Sequence, residues 1–470
     1  MPSAFLIPTL YPPPSPLYQL FSMPPDWNSV RHETIEHLQA LIRFNTTNPP
    51  GNELSLARYL TDVLTAAGID CQLFEPAPRR GAVIARLRGD GSERPVLMMA
   101  HMDVVGVEPE HWSVEPFAGE IRDGFLYGRG AIDDKGMLAA NLMTMLLLAR
   151  EIVARHVQLR RDVIFAATSD EEVADEWGMG WLIDNHPDLV RAEFALNEGG
   201  RTRILDGKPL YLAVQSAEKI AHVVRLTAHG PGGHASVPLE DNAVVRLARA
   251  IAAIQSNPLP VRLLPTTRAF FRELSRVWPV AAEREAMEDV ASDNSARIDR
   301  AARALRQIPL LDAVLRTTVS PTMLDGGVAP NVIPTKVSAT LNIRTLPGDS
   351  IDDVIRTLGR SVGDPLVDFT IIERGEDSPS CELSSPLFRA IADATHGLDP
   401  ALAVVPFLGT GATDSARMRR WGVQTYGVLP FPMEESDEER MHGNDERIPL
   451  DSLAFGTRLI YETILRVAGT

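Results

Sequence analysis

The amino-acid sequence predicts an α/β protein in which a smaller α+β domain interrupts a larger one. Short apolar runs alternate with helical patterns in the N-terminal half, the pattern changes near Lys219, and the alternation resumes after Ser378. Strands that alternate with helices indicate a layer built on a largely parallel sheet. The predicted division is a tail over residues 1–25, a larger domain over 26–215 and 376–470, and an inserted domain over 216–375.

The composition is that of a soluble protein with an acidic surface. The chain has 470 residues, of which 44% are hydrophobic and 23% charged, and its formal net charge is −16. This charge argues against nucleic acid and anionic membranes as partners. Two cysteines, Cys71 and Cys381, cannot form a disulfide framework and have no Cys or His at metal-ligand spacing. We assign both to packing, in a reducing cytoplasm.

Two apolar stretches need to be distinguished from targeting or membrane segments. Residues 1–25 are rich in proline and contain no Lys or Arg, so they lack the positive region of a secretory signal. We predict a disordered tail there, with Met23 as an alternative start. The run over 137–149 is shorter than the ~20 residues of a membrane span and contains Asn141 and Thr144. A buried helix is expected.

The first domain begins with two helices over residues 26–68, which the TTNPPGN stretch separates. After these two helices, strands alternate with helices along the chain. The predicted strands are 82–87, 95–105, 163–168 and 192–196, and the predicted helices are 135–157 and 179–186. Ligands of such sheets bind beyond the carboxyl ends of the strands.

The inserted domain is predicted to be a small sheet with helices. The predicted strands are 220–228, 337–343 and 366–373, and the predicted helices are 242–254 and 351–362. Between its halves, residues 268–315 are rich in Ala, Arg and Glu and are predicted to form added helices of this domain. The chain ends in a predicted helix over 450–467.

Histidines and acids lie at or near the predicted strand ends of the first domain and before its long helix. They are His101, Asp103, Asp133, Asp134, Glu171, Glu172, Glu198 and, far downstream, His442. Each fragment alone occurs often by chance, but their convergence on one sheet edge favours a metal site. Imidazole and carboxylate together suit zinc, with Co²⁺ or Mn²⁺ as alternatives. Two histidines and three acids exceed one tetrahedral site and suit two metals that share a carboxylate.

The adjacent acids Glu171 and Glu172 are predicted to divide two tasks. Neighbouring residues after a strand point in different directions, so one can face a metal while the other faces the attacking water. Zinc lowers the pKa of a bound water to about 7, and a carboxylate beside it can complete the deprotonation. The pair is therefore interpreted as a base and a ligand.

Eight segments in this order resemble the M20 family of metallopeptidases, most closely its carboxypeptidase S and aminoacylase-like branch. They are HMDVV, YGRGAIDDKG, TSDEE, NEGG, GPGGHASVP, APNVIP, NIR and MHGNDE. The resemblance covers residues 26–470 and implies a di-zinc catalytic domain with an inserted ferredoxin-like lid. Gly106 stands where many relatives have proline after HxDVV, which alters the loop but removes no ligand.

The resemblance implies a metal-binding role for five positions. Asp133 would bridge the two metals. His101 and Glu198 would complete the shell of one metal, and Glu172 and His442 the shell of the other.

The resemblance also implies roles beside the metals. Glu171 would be the general base, and Asp103 would orient His101 from behind. Asp134 is ambiguous, because an acid at the start of a helix is also favoured by the helix macrodipole alone.

In the lid, the resemblance implies that His234 donates to the oxyanion of the hydrolysing amide. His229 is its rival, but only His234 matches the GGHAS motif. In several family members the equivalent histidine reaches the partner subunit's site, so a homodimer through the lid is expected. Arg344 would clamp a substrate carboxylate, with a surface arginine as the alternative, and Asn331 would assist.

The segment FLGTGATDSARM places Gly409 and Gly411 in a turn before a helix. Backbone N–H groups of such a turn could bind a carboxylate. A phosphate loop is disfavoured because no Lys-Ser/Thr pair follows.

The expected function is hydrolysis of an amide next to a free carboxylate, as a carboxypeptidase or dipeptidase. The expected substrate is a small peptide or an N-acyl amino acid, and an aminoacylase-like deacylase is the alternative. A non-catalytic metal- or peptide-binding homologue should lack a ligand or the base, and all matching positions are filled here. Calcium requires oxygen ligands, so two histidines disfavour a structural calcium site.

Overall fold

The computed structural model describes residues 25–155, 158–173 and 176–469. The predicted tail, with Met23, lies outside the described residues except for Pro25.

The described helices alternate with strands along most of the chain. The helices are α1 (Trp27–Ile42), α2 (Leu54–Ala66), α3 (Lys135–Arg155), α4 (Met179–Asn185), α5 (Pro187–Val190), α6 (Ala243–Ser256), α7 (Pro265–Leu274), α8 (Ala281–Ala291), α9 (Ser295–Leu305), α10 (Pro309–Ala313), α11 (Ile351–Val362), α12 (Pro386–Leu398), α13 (Asp414–Arg420), α14 (Glu435–Glu438) and α15 (Leu450–Ala468). The strands are β1 (Asp70–Phe74), β2 (Ala82–Leu87), β3 (Val96–His101), β4 (Glu120–Arg122), β5 (Phe125–Tyr127), β6 (Val163–Thr168), β7 (Phe194–Asn197), β8 (Arg201–Leu205), β9 (Lys208–Glu218), β10 (Ile220–His229), β11 (Gly233–His234), β12 (Thr318–Gly326), β13 (Val332–Ile333), β14 (Lys336–Thr345), β15 (Val367–Glu373), β16 (Ala403–Gly409), β17 (Gln424–Gly427), β18 (Pro432–Met433) and β19 (Arg447–Pro449).

The larger sheet has ten strands, in the order β1-β2-β6-β3-β7-β17-β9-β8-β18, with β16 also paired to β9. Its centre is parallel, since β3 pairs in parallel with both β6 and β7, and β7 with β17. The pairs β1–β2, β2–β6 and β8–β9 are antiparallel. The sheet is therefore mixed, and its parallel part is the part that leads to the candidate site.

Strand β3 shows how the sheet divides its two faces. Leu97 and Met99 join the apolar cluster on the side of α4 and α13. Val96 and Met98 point the other way, into the cluster that contains α1, α3, α12 and α15. This alternation follows from the two-residue period of a strand, and it produces three layers with the sheet in the middle.

Helix α3 is the apolar helix predicted to be buried. Over Lys135–Ala154 it is long and apolar enough to cross a membrane by length and composition, and 72% of that window is buried inside the protein. It packs against α1, α15 and β3. In this fold α3 is a core helix of the three-layer domain.

The second sheet has four antiparallel strands in the order β12-β14-β10-β15. Helices α6 and α11 supply apolar side chains to one face, among them Leu247, Ile254, Val354 and Leu358. A separate two-stranded ribbon, β11–β13, carries His234.

Helices α7–α10 differ from their predicted place in the inserted domain, because they pack on the larger sheet. Phe270 and Phe271 share an apolar cluster with Tyr211 of β9 and Phe407 of β16. The ring centroids of Phe270 and Phe407 are 5.7 Å apart. The apolar face of these helices covers β9 and β16, which the sequence pattern alone does not reveal.

As a result, the chain passes between the two sheets four times, at residue 219, over 257–264, over 314–317 and after residue 373. Lys219 is buried at the first passage. Its ammonium donates to the carbonyl oxygens of Ala313 and Arg316, both at 2.9 Å, and to Oγ1 of Thr318 at 2.8 Å. These bonds join the first passage to the third.

Candidate metal centre and cleft

The candidate site forms where parallel strands end side by side. The register pairs His101, the last residue of β3, with Thr168, the last residue of β6. Strand β7 ends one residue before Glu198. Because the carboxyl ends of parallel strands meet at one sheet edge, the acids that follow them converge with His101.

One group of potential ligand atoms comprises His101, Asp133 and Glu198. His101 Nε2 lies 2.9 Å from Asp133 Oδ1 and 3.9 Å from Glu198 Oε1. The His101 ring is buried, and its Nδ1 lies 3.0 Å from the main-chain oxygen of Asp103.

A second group comprises Asp133, Glu172 and His442. His442 Nε2 lies 3.0 Å from Asp133 Oδ2 and 3.3 Å from Glu172 Oε2. Asp133 thus offers one carboxylate oxygen to each group. Within each group the candidate atoms lie within 4.8 Å of one another.

The donor set fits a pair of divalent ions. Each group combines one imidazole with carboxylates, which is the chemistry that zinc and similar ions accept. Oε1 of Glu172 is buried and has no hydrogen-bond partner among the described residues, which is costly unless a donor or cation faces it.

The electrostatics of the cluster are those of crowded acids. Burial, followed by the charge of Glu198, raises the pKa of Glu171 well above its ordinary value. Burial and then the charge of Asp133 raise the pKa of Glu198. Hydrogen bonds to Asp133 and Glu172 raise the pKa of His442 to about 10. Negative charge therefore exceeds what the two imidazoles offset, and divalent cations would compensate for it.

The loop that carries Asp133 is fixed by Glu446, which sequence reasoning missed. The buried Glu446 carboxylate accepts from the N–H groups of Gly130, Ile132 and Asp133 at 3.1, 2.8 and 3.2 Å. It also pairs with Arg129 at 2.6 Å. Its position four residues after His442, inside the quoted MHGNDE motif, was the available signal.

Asp103 contacts His101 mainly through its backbone. Its Oδ1 lies 3.6 Å from His101 Nδ1, further than its main-chain oxygen. The carboxylate instead accepts from Asn48 Nδ2 at 2.8 Å and from the N–H groups of Glu171 and Glu172, each at 3.2 Å. Asp103 therefore holds the turn of the two glutamates as well as facing the histidine.

Asp134 immediately precedes α3 and is buried. Its Oδ2 accepts from the backbone N–H of His101 at 3.3 Å. Burial, opposed in part by the His101 charge, raises the pKa of Asp134 well above its ordinary value. This residue combines a helix-start position with a contact to the candidate ligand.

A cleft of about 300 Å³ opens beside Glu171. Its walls include residues at the first passage between the sheets and residues of α13. They are Val173, Glu218, Lys219, Ile220, Ala221, Gly375, Glu376, Ser378, Ala412, Thr413, Asp414, Ala416, Arg417 and Arg420. The cleft lies between the two sheets, next to the predicted base.

Arg344 lies on β14 and is half-buried. Its Nε donates to Oδ1 of Asn342 at 2.9 Å, whereas its Nη1 is buried and has no hydrogen-bond partner among the described residues. Burial first, and then the Arg344 charge, lower the pKa of Lys219. Arg344 is therefore close to a residue that lines the cleft.

His234 and Asn331 lie on the exposed β11–β13 ribbon and its approach. His234 Nδ1 lies 2.7 Å from Oγ of Ser236, and the main-chain oxygen of Asn331 accepts from Ala235 at 3.0 Å. The described contacts do not bring either residue to the metal ligands, so their predicted roles stay predictions. His229, the rival, lies 3.2 Å from Asp368.

The turn with Gly409 and Gly411 already holds a carboxylate of the chain. Glu218 accepts from the Thr413 hydroxyl at 3.1 Å and pairs with Arg419 at 3.0 Å. A Cβ atom on Gly409 would lie 2.2 Å from Oε1 of Gln215, so a larger residue there would have to displace the Gln215 side chain. Contact of Gly409 or Gly411 with a substrate stays a prediction.

The chain is similar in sequence to a known protein family and to individual known proteins. The chain matches the family model described as peptidase family M20/M25/M40 over residues 97–466. A probable carboxypeptidase S-like 2 of Dictyostelium discoideum is 30% identical over 376 residues, which are 77% of this chain and 69% of the relative. An N-fatty-acyl-amino acid synthase/hydrolase of Homo sapiens is 28% identical over 386 residues, 80% of this chain and 74% of the relative.

Among solved structures, an M20 family metallo-carboxypeptidase from Sulfolobus solfataricus has a similar fold. The TM-score is 0.67 at 18% sequence identity, over 93% of this chain and 99% of the other. At this identity the likeness concerns the fold alone.

Proposed function

Because the chain belongs to peptidase family M20/M25/M40, we propose that it is a metal-dependent hydrolase that cleaves an amide bond next to a free carboxylate, as a carboxypeptidase or dipeptidase. Membership confirms the resemblance inferred from the ordered motifs. The observation that carries the proposal is the pair of ligand groups that share Asp133, next to Glu171 and an open cleft.

The proposed ligands are His101 and Glu198 for one ion, Glu172 and His442 for the other, and Asp133 for both. Zinc suits this set best, and Co²⁺ or Mn²⁺ are alternatives. When bound, such ions polarise a substrate carbonyl and lower the pKa of the attacking water.

Glu171 is the proposed general base. Glu171 lines the cleft beside both groups of candidate ligands, and a carboxylate in this position can accept a proton from the attacking water. It would accept a proton from the attacking water and pass this proton to the leaving amine. Glu172 then remains a ligand, since its Oε2 faces His442.

Arg344 is the proposed partner of the substrate carboxylate. Its buried Nη1 has no protein partner among the described residues, while Asn342 holds Nε in place. A guanidinium with a free N–H matches carboxylate geometry. Asn331 and the backbone N–H groups near Gly409 and Gly411 are proposed secondary contacts.

His234 is the proposed oxyanion donor, supplied by a second copy of the chain. Its place on an exposed ribbon suits a reach into a neighbouring site. Strand β12 is an edge strand with exposed Met323 and Leu324, and exposed apolar edges favour association. We therefore propose a homodimer through the smaller sheet.

Deacylation of an N-acyl amino acid is the second candidate. The similarity to an N-fatty-acyl-amino acid synthase/hydrolase favours it. Both substrates present an amide next to a carboxylate, so the same residues would serve. What differs is the group on the other side of the amide.

The test combines metal analysis with hydrolysis of Gly-Leu, benzyloxycarbonyl-Gly-Leu and N-acetyl-Met. Wild type should bind divalent metal and cleave at least one substrate. Glu171→Gln should keep the metal and lose about 10²- to 10⁴-fold in kcat. Glu36→Gln, on the exposed side of α1, is the matched control and should match wild type. Failure to bind metal after reconstitution would refute the proposal.

A further inference from the structure

We propose that Arg80 is a positioning residue of the metal centre, which acts through Asp170 and Asn48 on the turn that carries Glu171 and Glu172. This inference rests on the proposed function, since it concerns the proposed base and a proposed ligand. Arg80 itself contacts neither glutamate side chain among the described hydrogen bonds.

Arg80 is buried beside the site and forms three polar contacts. Its Nη1 lies 2.5 Å from Oε1 of Glu53. Its Nη2 donates to Oδ1 of Asp170 at 2.5 Å and to Oδ1 of Asn48 at 3.0 Å. Arg80 is only 8% exposed, so these bonds fix the plane of its guanidinium with little competition from water.

Asp170 transmits this constraint to the start of the turn. It has φ of +69°, a backbone conformation that non-glycine residues rarely adopt without support. Its Oδ2 accepts from the N–H groups of Glu176 and Trp177 at 2.9 and 3.2 Å. Thus Asp170, held by Arg80, ties together both ends of the loop in which Glu171 and Glu172 lie.

Asn48 provides a second chain of hydrogen bonds from Arg80 to the turn with Glu171 and Glu172. Its Nδ2 donates to Oδ1 of Asp170 at 3.0 Å and to Oδ2 of Asp103 at 2.8 Å. Asp103 in turn accepts from the backbone N–H groups of Glu171 and Glu172. Every link from the guanidinium to the backbone of both glutamates is therefore a hydrogen bond between buried or half-buried groups.

The loop before α2 is shaped to admit the guanidinium. Gly51 has φ of +79°, and a Cβ atom there would lie 1.7 Å from Arg80 Nη1. A buried ion pair is weak support for stability, because apolar residues of similar volume often serve equally well. The space that Gly51 leaves for the guanidinium favours a positioning role. So do the hydrogen bonds through Asp170 and Asn48, which both lead to the turn with Glu171 and Glu172.

Arg161 provides a matched control at the opposite end of the same strand. It precedes β6, whereas Asp170 follows it. Arg161 is 5% exposed, and its guanidinium pairs with Glu93 and Glu193. Arg161→Lys and Arg80→Lys therefore remove the same guanidinium from two similarly buried arginines, although the acids that pair with Arg161 are more exposed than those that pair with Arg80.

The experiment compares Arg80→Lys, Asn48→Ala and Arg161→Lys in the 470-residue chain. The readouts are the visible absorption spectrum of the Co²⁺-substituted protein, its affinity for Co²⁺, the unfolding midpoint, and kcat and KM on the cleaved substrate. We expect both lysine variants to unfold earlier. Only Arg80→Lys and Asn48→Ala should change the cobalt spectrum and lower Co²⁺ affinity or kcat by about 10- to 100-fold, with KM little changed.

The inference is overturned if Arg80→Lys gives the cobalt spectrum, affinity and kcat of Arg161→Lys. If Arg80→Lys does not fold, Asn48→Ala decides in the same way. The cobalt spectrum and affinity need no substrate. A wild type that binds cobalt but cleaves nothing would therefore count against the proposed reaction, while the spectral comparison still tests the positioning role.

Discussion

The backbone N–H of Asp133 donates to Oε1 of Glu446 at 3.2 Å. The residue offered to both ligand groups is thus held by a buried carboxylate that itself binds no candidate ligand atom among the described contacts. Positioning from behind is the usual way in which proteins fix metal ligands.

Glu446→Gln should weaken metal binding by about 10- to 100-fold, because the amide can accept fewer bonds from the Asp133 loop and leaves Arg129 without its charged partner. Isothermal titration of metal-free protein with Zn²⁺ measures this. Glu438→Gln, which disturbs ion pairs with Arg201 and Arg203 instead, should bind Zn²⁺ as wild type does. Equal affinities for the two variants would contradict the role of Glu446.

Loss of the shared Asp133 carboxylate should reduce the metal content of the protein more than loss of His442. Asp133→Asn should abolish tight binding at both groups, whereas His442→Ala should leave the group with His101 and Glu198 able to bind. The metal-to-protein ratio after gel filtration distinguishes these cases. His37→Ala, in a different part of the larger domain, is the control. Full metal content in Asp133→Asn would show that this carboxylate is not shared.

Arg344→Lys should raise KM for substrates with a free carboxylate by about 10- to 100-fold, as expected from losing a hydrogen bond to a charged group. A C-terminally amidated substrate should show little further loss in this variant. Arg225→Lys, at an exposed position on β10 of the same sheet, should behave as wild type. If KM rises equally for the amidated substrate and for the substrate with a free carboxylate, Arg344 does not bind the carboxylate.

His222 should make the protein less stable in mild acid. Burial, followed by the charge of Arg374, lowers the pKa of His222, while Asp352 opposes this. Its Nδ1 accepts from the N–H of Gly375 at 3.1 Å, and its Nε2 faces Oγ1 of Thr345. The folded state therefore favours the neutral ring. The unfolded chain binds the proton more readily, so stability is lost as pH falls below about 6.5.

Urea unfolding between about pH 5 and 8 tests this. His222→Gln keeps one acceptor and one donor but does not titrate. Its unfolding free energy should fall less steeply than that of wild type on acidification. Parallel curves for the two proteins would exclude His222 as a source of the pH dependence.

The sequence predicts what depends on local order, and it misses what depends on distant contacts. The strand that ends at His101 and the acids after the next two strands are local patterns, so their convergence could be inferred. From the sequence, Asn48 is only part of a helix-breaking stretch, because its bond to Asp103 spans 55 positions. Arg80 has no motif around it, and its partner Asp170 is 90 residues away.

The helical stretch over 268–315 shows the same limit. Its amphipathic helices require an apolar surface, but the pattern does not say which sheet provides it. Phe270 reaches Phe407, far along the chain. Sequence proximity to the inserted domain therefore suggested the wrong neighbour for these helices.

The four passages between the sheets limit how the smaller sheet can move. A body attached at two adjacent points can rotate by torsion changes in two linkers alone. Here Lys219 bonds the first passage to the third, and His222 of β10 accepts a hydrogen bond from Gly375 in the last passage. Any rotation must change several backbone torsions together while these bonds break or shift. We expect opening and closing to be a single cooperative transition, with one relaxation rate rather than a spread of rates.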